Sequence, residues 1–216
     1  MSAPVRIECF VDPSFGENAY VVSCRRSGPC WIVDPGLPPS AAGIIGYLRR
    51  EALTVDAVIL THAHADHIAG LPEVLEAMPD LPVFVADEER KALTDPRENL
   101  SADLGASFRV EAPDLRPLAA GGELTLDGTT WKILDASGHS PGGRALYCAV
   151  AAVVIVGDAL FQGSIGRTDF HNSRHDRLIS NIKTNLLTLP DETRVYSGHG
   201  PVTTIGAERR TNPFLA

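Results

Sequence analysis

The sequence predicts an α/β fold in which strands and helices alternate along the chain. Short apolar or alternating runs, typical of strands, occur in both halves, and each block of them is followed by a stretch with helical periodicity. With 44% hydrophobic and 21% charged residues over 216 positions, the composition is globular and excludes a disordered, collagen-like or coiled-coil chain. No fixed-period repeat or low-complexity linker divides the sequence, so we expect one domain over residues 1–216.

The first half is predicted to contain three strands, a helix, a fourth strand and a second helix. Turn residues rich in Pro, Gly and Asn separate the three strands. The first helix carries Ile44, Ile45 and Leu48 on one face, and Pro79 ends the second helix. In chain order we expect these elements at residues 5–11, 19–23, 30–33, 38–51, 57–60 and 68–78.

The middle of the chain is predicted to be mostly loop, after which the strands return. A strand at residues 82–86 and a short helix at 88–93 precede a stretch, 94–113, with weak periodicity. An amphipathic helix is expected at residues 174–187. The remaining strands are expected at residues 124–126, 130–134, 145–150, 153–156 and 194–196.

Three features of the sequence limit the binding partners and the cellular compartment that we expect. They are the net charge, the cysteine content and the N-terminal residues. The net charge of −8 repels nucleic-acid phosphate and anionic lipid, so neither nucleic acid nor membrane is expected as a partner. The four cysteines form no CxxC pair and are too sparse for a disulfide-stapled secreted domain. Residues 1–10 show no secretory signal, and the apolar run at 148–156 is too short to span a bilayer. We therefore expect a cytoplasmic protein.

The clearest chemical signal is a group of three histidines and an aspartate, HAHADH, directly after the strand expected at residues 57–60. Imidazole and carboxylate are ligands for Zn²⁺ and similar ions, and alternation along an extended loop points His62 and His64 the same way. Asp66 and His67 then face a second position where a metal ion could bind. Asp66 could instead cap a helix, but a chance cluster of this kind is rare, which favours a metal site.

Three further potential ligands follow strands elsewhere. His139 lies in SGHSPGG, Asp158 in VGDALF and His199 in SGHGP, each beside glycine where a predicted strand has just ended. Taken alone, each is more typical of a turn or of polar surface. Their significance depends on the pattern that they form with the histidine cluster.

Together these segments resemble the metallo-β-lactamase superfamily. The family pattern T-H-x-H-x-D-H-x-x-G matches residues 61–70 at every specified position, and the likeness extends to the Asp-Pro-Gly turn at 34–36 and the ending TTIGAERRTNPFL. The resemblance implies a four-layer αβ/βα sandwich of two facing mixed β-sheets. It places the metal site at one edge of those sheets.

By position, the resemblance implies a centre with two divalent ions, Zn²⁺ being the expected metal and Fe or Mn the alternatives. Asp66 and Asp158 are expected to take part in catalysis. Asp34 is expected to orient the metal ligands without binding an ion itself. The implied ligands are His62, His64 and His139 for one ion, Asp66, His67 and His199 for the other, and Asp158 as the bridge.

The segment GDALFQGSIGRTDF, at residues 157–170, looks most like the corresponding loop of hydroxyacylglutathione hydrolases (glyoxalase II) and their short bacterial relatives. The resemblance implies a thioesterase for S-lactoylglutathione or a related small thioester, in which a hydroxide bridging the two ions attacks the carbonyl. Arg167 stands where glutathione-specific members carry a basic residue, so we expect it to bind a substrate carboxylate. An ion pair with Asp169 is the alternative. The chain is expected to lack the C-terminal helical domain that helps longer members bind glutathione.

Two other functions remain open on the same residues. Persulfide dioxygenases share a similar GRTDF segment and would use one iron held by His62, His139 and Asp158. A non-catalytic metal-binding scaffold is the third possibility. Antibiotic cleavage is disfavoured because Asp158 stands where one group of true β-lactamases has cysteine, and 216 residues leave no room for the inserted domain of superfamily nucleases. The sequence leaves the oligomeric state open.

Overall fold

The structure, a computed structural model, describes residues 5–215 and contains two six-stranded mixed β-sheets that face each other. In the first sheet the spatial order follows the chain order: β1 (Arg6–Val11), β2 (Asn18–Ser23), β3 (Gly28–Val33), β4 (Leu53–Ile59), β5 (Val83–Val85) and β6 (Leu115–Pro117). The first three strands form an antiparallel meander, and β3 to β6 run parallel.

The second half of the chain provides the second sheet and a small ribbon. Its strands are β7 (Glu123–Leu126), β8 (Thr129–Asp135), β9 (Arg144–Cys148), β10 (Val153–Gly157), β11 (Leu160–Phe161), β12 (Ser164–Ile165), β13 (Arg194–Ser197) and β14 (Thr203–Thr204). The sheet has the order β14-β13-β10-β9-β8-β7, while β11 and β12 pair only with each other. Within the sheet β10 and β13 are parallel and the other neighbours antiparallel.

Helices cover the outer faces of both sheets. They are α1 (Ser40–Glu51), α2 (Ala65–Ile68), α3 (Leu71–Ala77), α4 (Arg90–Thr94), α5 (His175–Asn181) and α6 (Ile205–Thr211). A π-helical turn, Ile182–Leu186, continues α5, and 3₁₀ turns lie at Asp87–Glu89, Ser101–Leu104 and Ala149–Ala151.

Three clusters of buried apolar side chains lie between these layers and pack them together. The central one lies between the sheets and includes Trp31 and Trp131, whose ring centroids are 5.8 Å apart. On the outer face of the first sheet, Ile44 of α1 and Val74 of α3 belong to a second cluster. On the outer face of the second sheet, Leu178 of α5 belongs to the third. The predicted four-layer αβ/βα sandwich is confirmed.

The helix predicted at residues 68–78 is divided into α2 and α3 near Gly70. The Gly70 N–H donates to the carbonyl oxygen of Gly36 at 2.6 Å, and a Cβ at Gly70 would lie 2.6 Å from the carbonyl oxygen of Pro35. The loop after β3 therefore packs against the helix backbone. Its carbonyl group accepts the hydrogen bond that the Gly70 N–H would donate within a continuous helix. Only a residue without a side chain permits this approach.

The other differences concern very short elements. Strands β6, β11, β12 and β14 contain two or three residues each, too few to show an alternating pattern that would predict them. Helix α6 is likewise absent from the elements expected from the sequence. The strand expected at residues 145–150 ends at Cys148, because a 3₁₀ turn follows.

Two sequence-based expectations concern the chain as a whole. All four cysteines are free thiols, as their spacing predicted. Among residues 5–215, no helix combines the length and the apolarity that a bilayer span requires. The expectation that residues 1–10 carry no secretory signal falls partly on residues 1–4, which lie outside the described residues.

Helix α6 begins at a capping hydroxyl. Thr204 Oγ1 accepts a hydrogen bond from the Ala207 N–H at 3.2 Å. We expect Thr204→Ala to lower the free energy of unfolding by about 1 kcal/mol, measured by urea denaturation, because this amide loses its partner. Thr211→Ala in the same helix is the matched control and should be neutral or slightly stabilising, since alanine is the better helix former. Equal losses in both variants would contradict the capping role.

Candidate metal centre

The residues with metal-ligand chemistry lie on loops that follow strands, at one edge of the sandwich. The segment 61–67 follows β4, and the loop after β8 carries His139. Asp158 directly follows β10, and His199 lies two residues beyond β13. Because strands of both sheets end at this edge, side chains distant in sequence come together.

Three histidines form an inner group. The Nε2 atom of His62 lies 3.1 Å from Nδ1 of His64, and Nε2 of His139 lies 2.9 Å from the same His64 nitrogen. All three residues are buried. Ring nitrogens about 3 Å apart suit imidazoles that share one ion at roughly 2.1 Å from each. The inner group therefore fits a divalent metal in donor type and in spacing.

Asp66, His67 and His199 form an outer group. Oδ2 of Asp66 lies 3.2 Å from Nε2 of His199 and 4.0 Å from Nε2 of His67. His67 is fully buried, and its Nε2 has no hydrogen-bond partner within residues 5–215. A buried polar atom without a partner is costly unless a ligand satisfies it, so this group also fits a cation. His199 is 27% exposed, which makes it the most open of the three.

Asp158 lies between the two groups. Its Oδ1 is 3.4 Å from Nε2 of His67, and its Oδ2 is 3.5 Å from Nε2 of both His139 and His199. Oδ1 is buried and has no hydrogen-bond partner in the described part of the chain. One carboxylate thus faces both sets of histidines. The structure brings all seven sequence-predicted ligands into one place, with the Asp158 carboxylate between the two groups.

Asp34 lies behind the outer group. Its Oδ2 is 3.0 Å from Nδ1 of His67 and accepts a hydrogen bond from Oγ1 of Thr61, while its Oδ1 accepts from the Thr61 N–H at 2.7 Å. When the Nδ1–H of His67 donates to this carboxylate, Nε2 of the ring is left to face the cation site. Asp34 is therefore placed to orient His67.

Burial and mutual proximity shift the pKa values of the site. Burial lowers the pKa of His64 to about 3 and holds the pKa of His62 well below its usual value. Burial also acts to lower the pKa of His67, but the carboxylates of Asp158 and Asp66 outweigh it and raise that pKa. Burial acts to raise the pKa of Asp158, but His67, His139 and His62 together outweigh it and hold that pKa well below its usual value. A neutral His62, a neutral His64 and an ionised Asp158 are the states that a cation requires.

The low pKa of His64 predicts acid-dependent stability for the metal-free protein. The unfolded side chain takes up a proton near pH 6.5, whereas the folded one does so near pH 3, so the unfolded state binds more protons between these values. This contribution to stability is complete above pH 6.5 and is lost as the pH falls toward 3. We expect the urea midpoint of the wild type to fall more steeply over this window than that of His64→Asn, whose amide does not titrate. Parallel profiles would contradict the prediction.

A cleft of about 710 Å³ leads from the surface to both groups. Phe15, Leu104, Phe161 and Phe170 contribute apolar lining, and Arg167 lies among the polar lining residues. Sequence reasoning did not single out Phe15, Leu104 or Phe170. Phe15 and Leu104 are 49% and 55% exposed, a signal that only the folded structure provides.

Arg167 forms the ion pair considered as its alternative role. Its Nε and Nη2 atoms each donate to Asp169 at 2.9 Å, and its guanidinium lies 4.5 Å from the ring centroid of Phe170. Both charged side chains are about two-thirds exposed. Arg167 is therefore held beside the cleft by contacts that are weak enough to exchange for others.

Comparison with known proteins agrees with this geometry. Residues 13–199 match the family model described as the metallo-beta-lactamase superfamily. The chain is 41% identical over 198 residues to the probable metallo-hydrolase YqgX of Bacillus subtilis (strain 168), covering 92% of each chain. It is 36% identical over 212 residues to the hydroxyacylglutathione hydrolase GloC of Haemophilus influenzae, covering 98% of each.

Two solved structures share the fold over nearly the whole chain. The crystal structure of the BLEG-1 B3 metallo-beta-lactamase superposes with a TM-score of 0.88 at 39% identity, covering 98% of this chain and 99% of that one. The crystal structure of TTHA1623 in a di-iron-bound form gives 0.83 at 36% identity, covering 96% and 100%. The resemblance inferred from the motifs is thus confirmed: the chain belongs to the metallo-β-lactamase superfamily.

Proposed function

We propose that this protein is a binuclear metallohydrolase that cleaves small thioesters, with S-lactoylglutathione or a related 2-hydroxyacyl thioester as substrate. The observation that carries the proposal is the position of the Asp158 carboxylate, within 3.5 Å of ring nitrogens from both histidine groups. The relative named as a hydroxyacylglutathione hydrolase supports the thioester class. For the metal we propose zinc, with iron or manganese as alternatives, since nitrogen and oxygen donors without sulfur suit all three.

Two divalent ions supply the hydrolytic chemistry when bound, by lowering the pKa of a water molecule and polarising the substrate carbonyl. Asp66 and His199 are the more exposed members of the centre, so substrate reaches it from their side. Phe161 and Phe170 line the cleft and would shield the reacting carbonyl of a bound substrate from bulk water. A thiol leaving group has a pKa near 8.5 and departs as thiolate, so the chain need not supply a strong general acid.

We propose that Arg167 binds a carboxylate of the thiol carrier, the part of the thioester that leaves as thiolate. Its bidentate pair with Asp169 shows that the guanidinium can present two donors to a carboxylate. Because the pair is exposed, exchanging Asp169 for a substrate carboxylate costs little free energy. This role would make Arg167 important for KM with carboxylate-bearing carriers and of little importance for kcat.

Metal content and a substrate panel test the proposal together. Elemental analysis of the purified protein is paired with assays of S-lactoylglutathione hydrolysis, of chromogenic cephalosporin hydrolysis and of oxygen uptake with glutathione persulfide. About two ions per chain with thioester cleavage is the expected result. One iron per chain with oxygen consumption would overturn the proposal and identify a persulfide dioxygenase. Turnover of the cephalosporin alone would overturn it and identify a β-lactamase. Bound metal without any turnover would indicate a non-catalytic scaffold.

A further inference from the structure

A buried carboxylate outside the ligand set lies beside the inner histidine group. Glu89 is the last residue of the 3₁₀ turn after β5 and is only 1% exposed. Its Oε2 accepts a hydrogen bond from the Ala63 N–H at 3.1 Å, and its Oε1 accepts one from the Gly142 N–H at 2.6 Å. Burying a carboxylate is costly unless its oxygens are satisfied, and here each oxygen is bonded to a different loop.

The two amides belong to the two loops that supply the inner group. Ala63 lies between His62 and His64, while Gly142 lies three residues beyond His139. These loops come from different sheets, since one follows β4 and the other follows β8. The carboxylate therefore joins the backbones that carry the three imidazoles.

We propose that Glu89 is a positioning residue, which fixes the spacing of the inner histidines by bonding the backbones of both ligand loops. The inference rests on the metal centre of the proposed function, although it requires no particular substrate. The carboxyl group offers one acceptor oxygen to each loop. A glutamine of the same shape would present its NH₂ group to one of the two backbone N–H donors.

Close packing makes this link rigid. A Cβ at Gly142 would lie 2.8 Å from Cγ of Glu89 and 3.0 Å from Cβ of Ala86, so the loop backbone lies directly against the carboxylate. Burial raises the pKa of Glu89, whereas the backbone hydrogen bonds from Gly142 and Ala63 act to lower it. The two bonds come from the two ligand loops, so each loop offsets part of the effect of burial on the carboxyl group.

The neighbouring Glu88 provides a matched control. Its Oε2 accepts a hydrogen bond from Nη2 of Arg144 at 2.9 Å, but its side chain is 47% exposed. Glu88→Gln removes the same charge one residue away and keeps an acceptor for the guanidinium. Glu88 accepts no hydrogen bond from either of the two amides that Glu89 bonds.

The experiment compares Glu89→Gln with Glu88→Gln in the full chain. Zn²⁺ affinity is measured by competition with a chromophoric chelator, the visible spectrum of the Co²⁺-substituted protein reports ligand geometry, and urea unfolding of the metal-free protein reports stability. We expect Glu89→Gln to weaken the tighter Zn²⁺ site roughly tenfold and to change the Co²⁺ spectrum. Glu88→Gln should leave both unchanged.

A purely structural role would lower the unfolding midpoint of Glu89→Gln and leave its Zn²⁺ affinity and Co²⁺ spectrum as in the wild type, and this result would overturn the proposal. If Glu89→Gln fails to fold, Gly142→Ala provides the second test. It keeps the carboxylate but forces it away from the loop, and it should weaken Zn²⁺ binding in the same way; unchanged affinity would overturn the proposal. None of these measurements uses a substrate, so their outcome is independent of whether thioesters are cleaved.

Discussion

Asp158→Ala is expected to abolish hydrolysis and to reduce the bound metal at both positions. The carboxylate lies 3.4 Å from His67 and 3.5 Å from both His139 and His199, so its removal leaves each histidine group without the donor that they share. Loss of about 4 kcal/mol of transition-state stabilisation corresponds to a decrease in kcat/KM on the order of 10³-fold. Elemental analysis should show fewer than two ions per chain.

Two further variants separate the role of this carboxylate from a general effect of charge or volume. Asp158→Asn keeps the size of the side chain and should lose nearly as much activity, because a neutral amide is a poor ligand between two cations. Asp176→Asn removes the same charge from an exposed position that pairs with Arg174, and should behave like the wild type. Two ions per chain with normal turnover in Asp158→Ala would refute the bridging role.

Gly198→Ala is the second change for which we expect a large loss of activity. A Cβ at this position would lie 2.1 Å from Oδ1 of Asp158 and 2.7 Å from Cε1 of His67. The backbone cannot move aside, because the Gly198 N–H donates to the carbonyl oxygen of Gly157 and its own carbonyl oxygen accepts from the Asn18 N–H, both at 2.7 Å. The added methyl group must therefore displace a ligand.

The expected cost of this displacement is about 10²-fold in kcat/KM, since a shift of roughly 1 Å at a reacting centre has an effect of that size. Steady-state kinetics and metal content per chain measure it. Gly46→Ala is the control, because no atom lies within 4 Å of a Cβ at that position in α1. That variant should keep full activity and gain up to about 1 kcal/mol of stability. Wild-type kinetics in Gly198→Ala would contradict the close packing around Asp158.

The grouping of the candidate metal ligands could be predicted from the sequence because their spacing carries the chemistry. The histidine cluster at residues 62–67 is compact, and the other ligands stand beside glycine directly after recognisable strands. Such a pattern is visible without knowing which strands are neighbours. The two sheets and their helical covers could be anticipated for a similar reason, since long elements show their periodicity.

Features that depend on contacts between distant segments could not be predicted. Glu89 belongs to the acidic run DEER, which in sequence is typical of a solvent-exposed turn, and only the fold shows that it is buried while Asp87 and Glu88 are exposed. The break at Gly70 likewise requires the backbone of Gly36 to lie against it. A local pattern contains no information about either partner.

The division of the ligands between the two sheets also bears on the order in which the protein can assemble during synthesis. The segment 62–67 leaves the ribosome well before His139, Asp158 and His199, and it presents only part of each ion's ligand set. A high-affinity site arises only after β13 has formed and the second sheet has docked on the first. We therefore expect metal to bind late in folding, where it would favour the docked state by mass action.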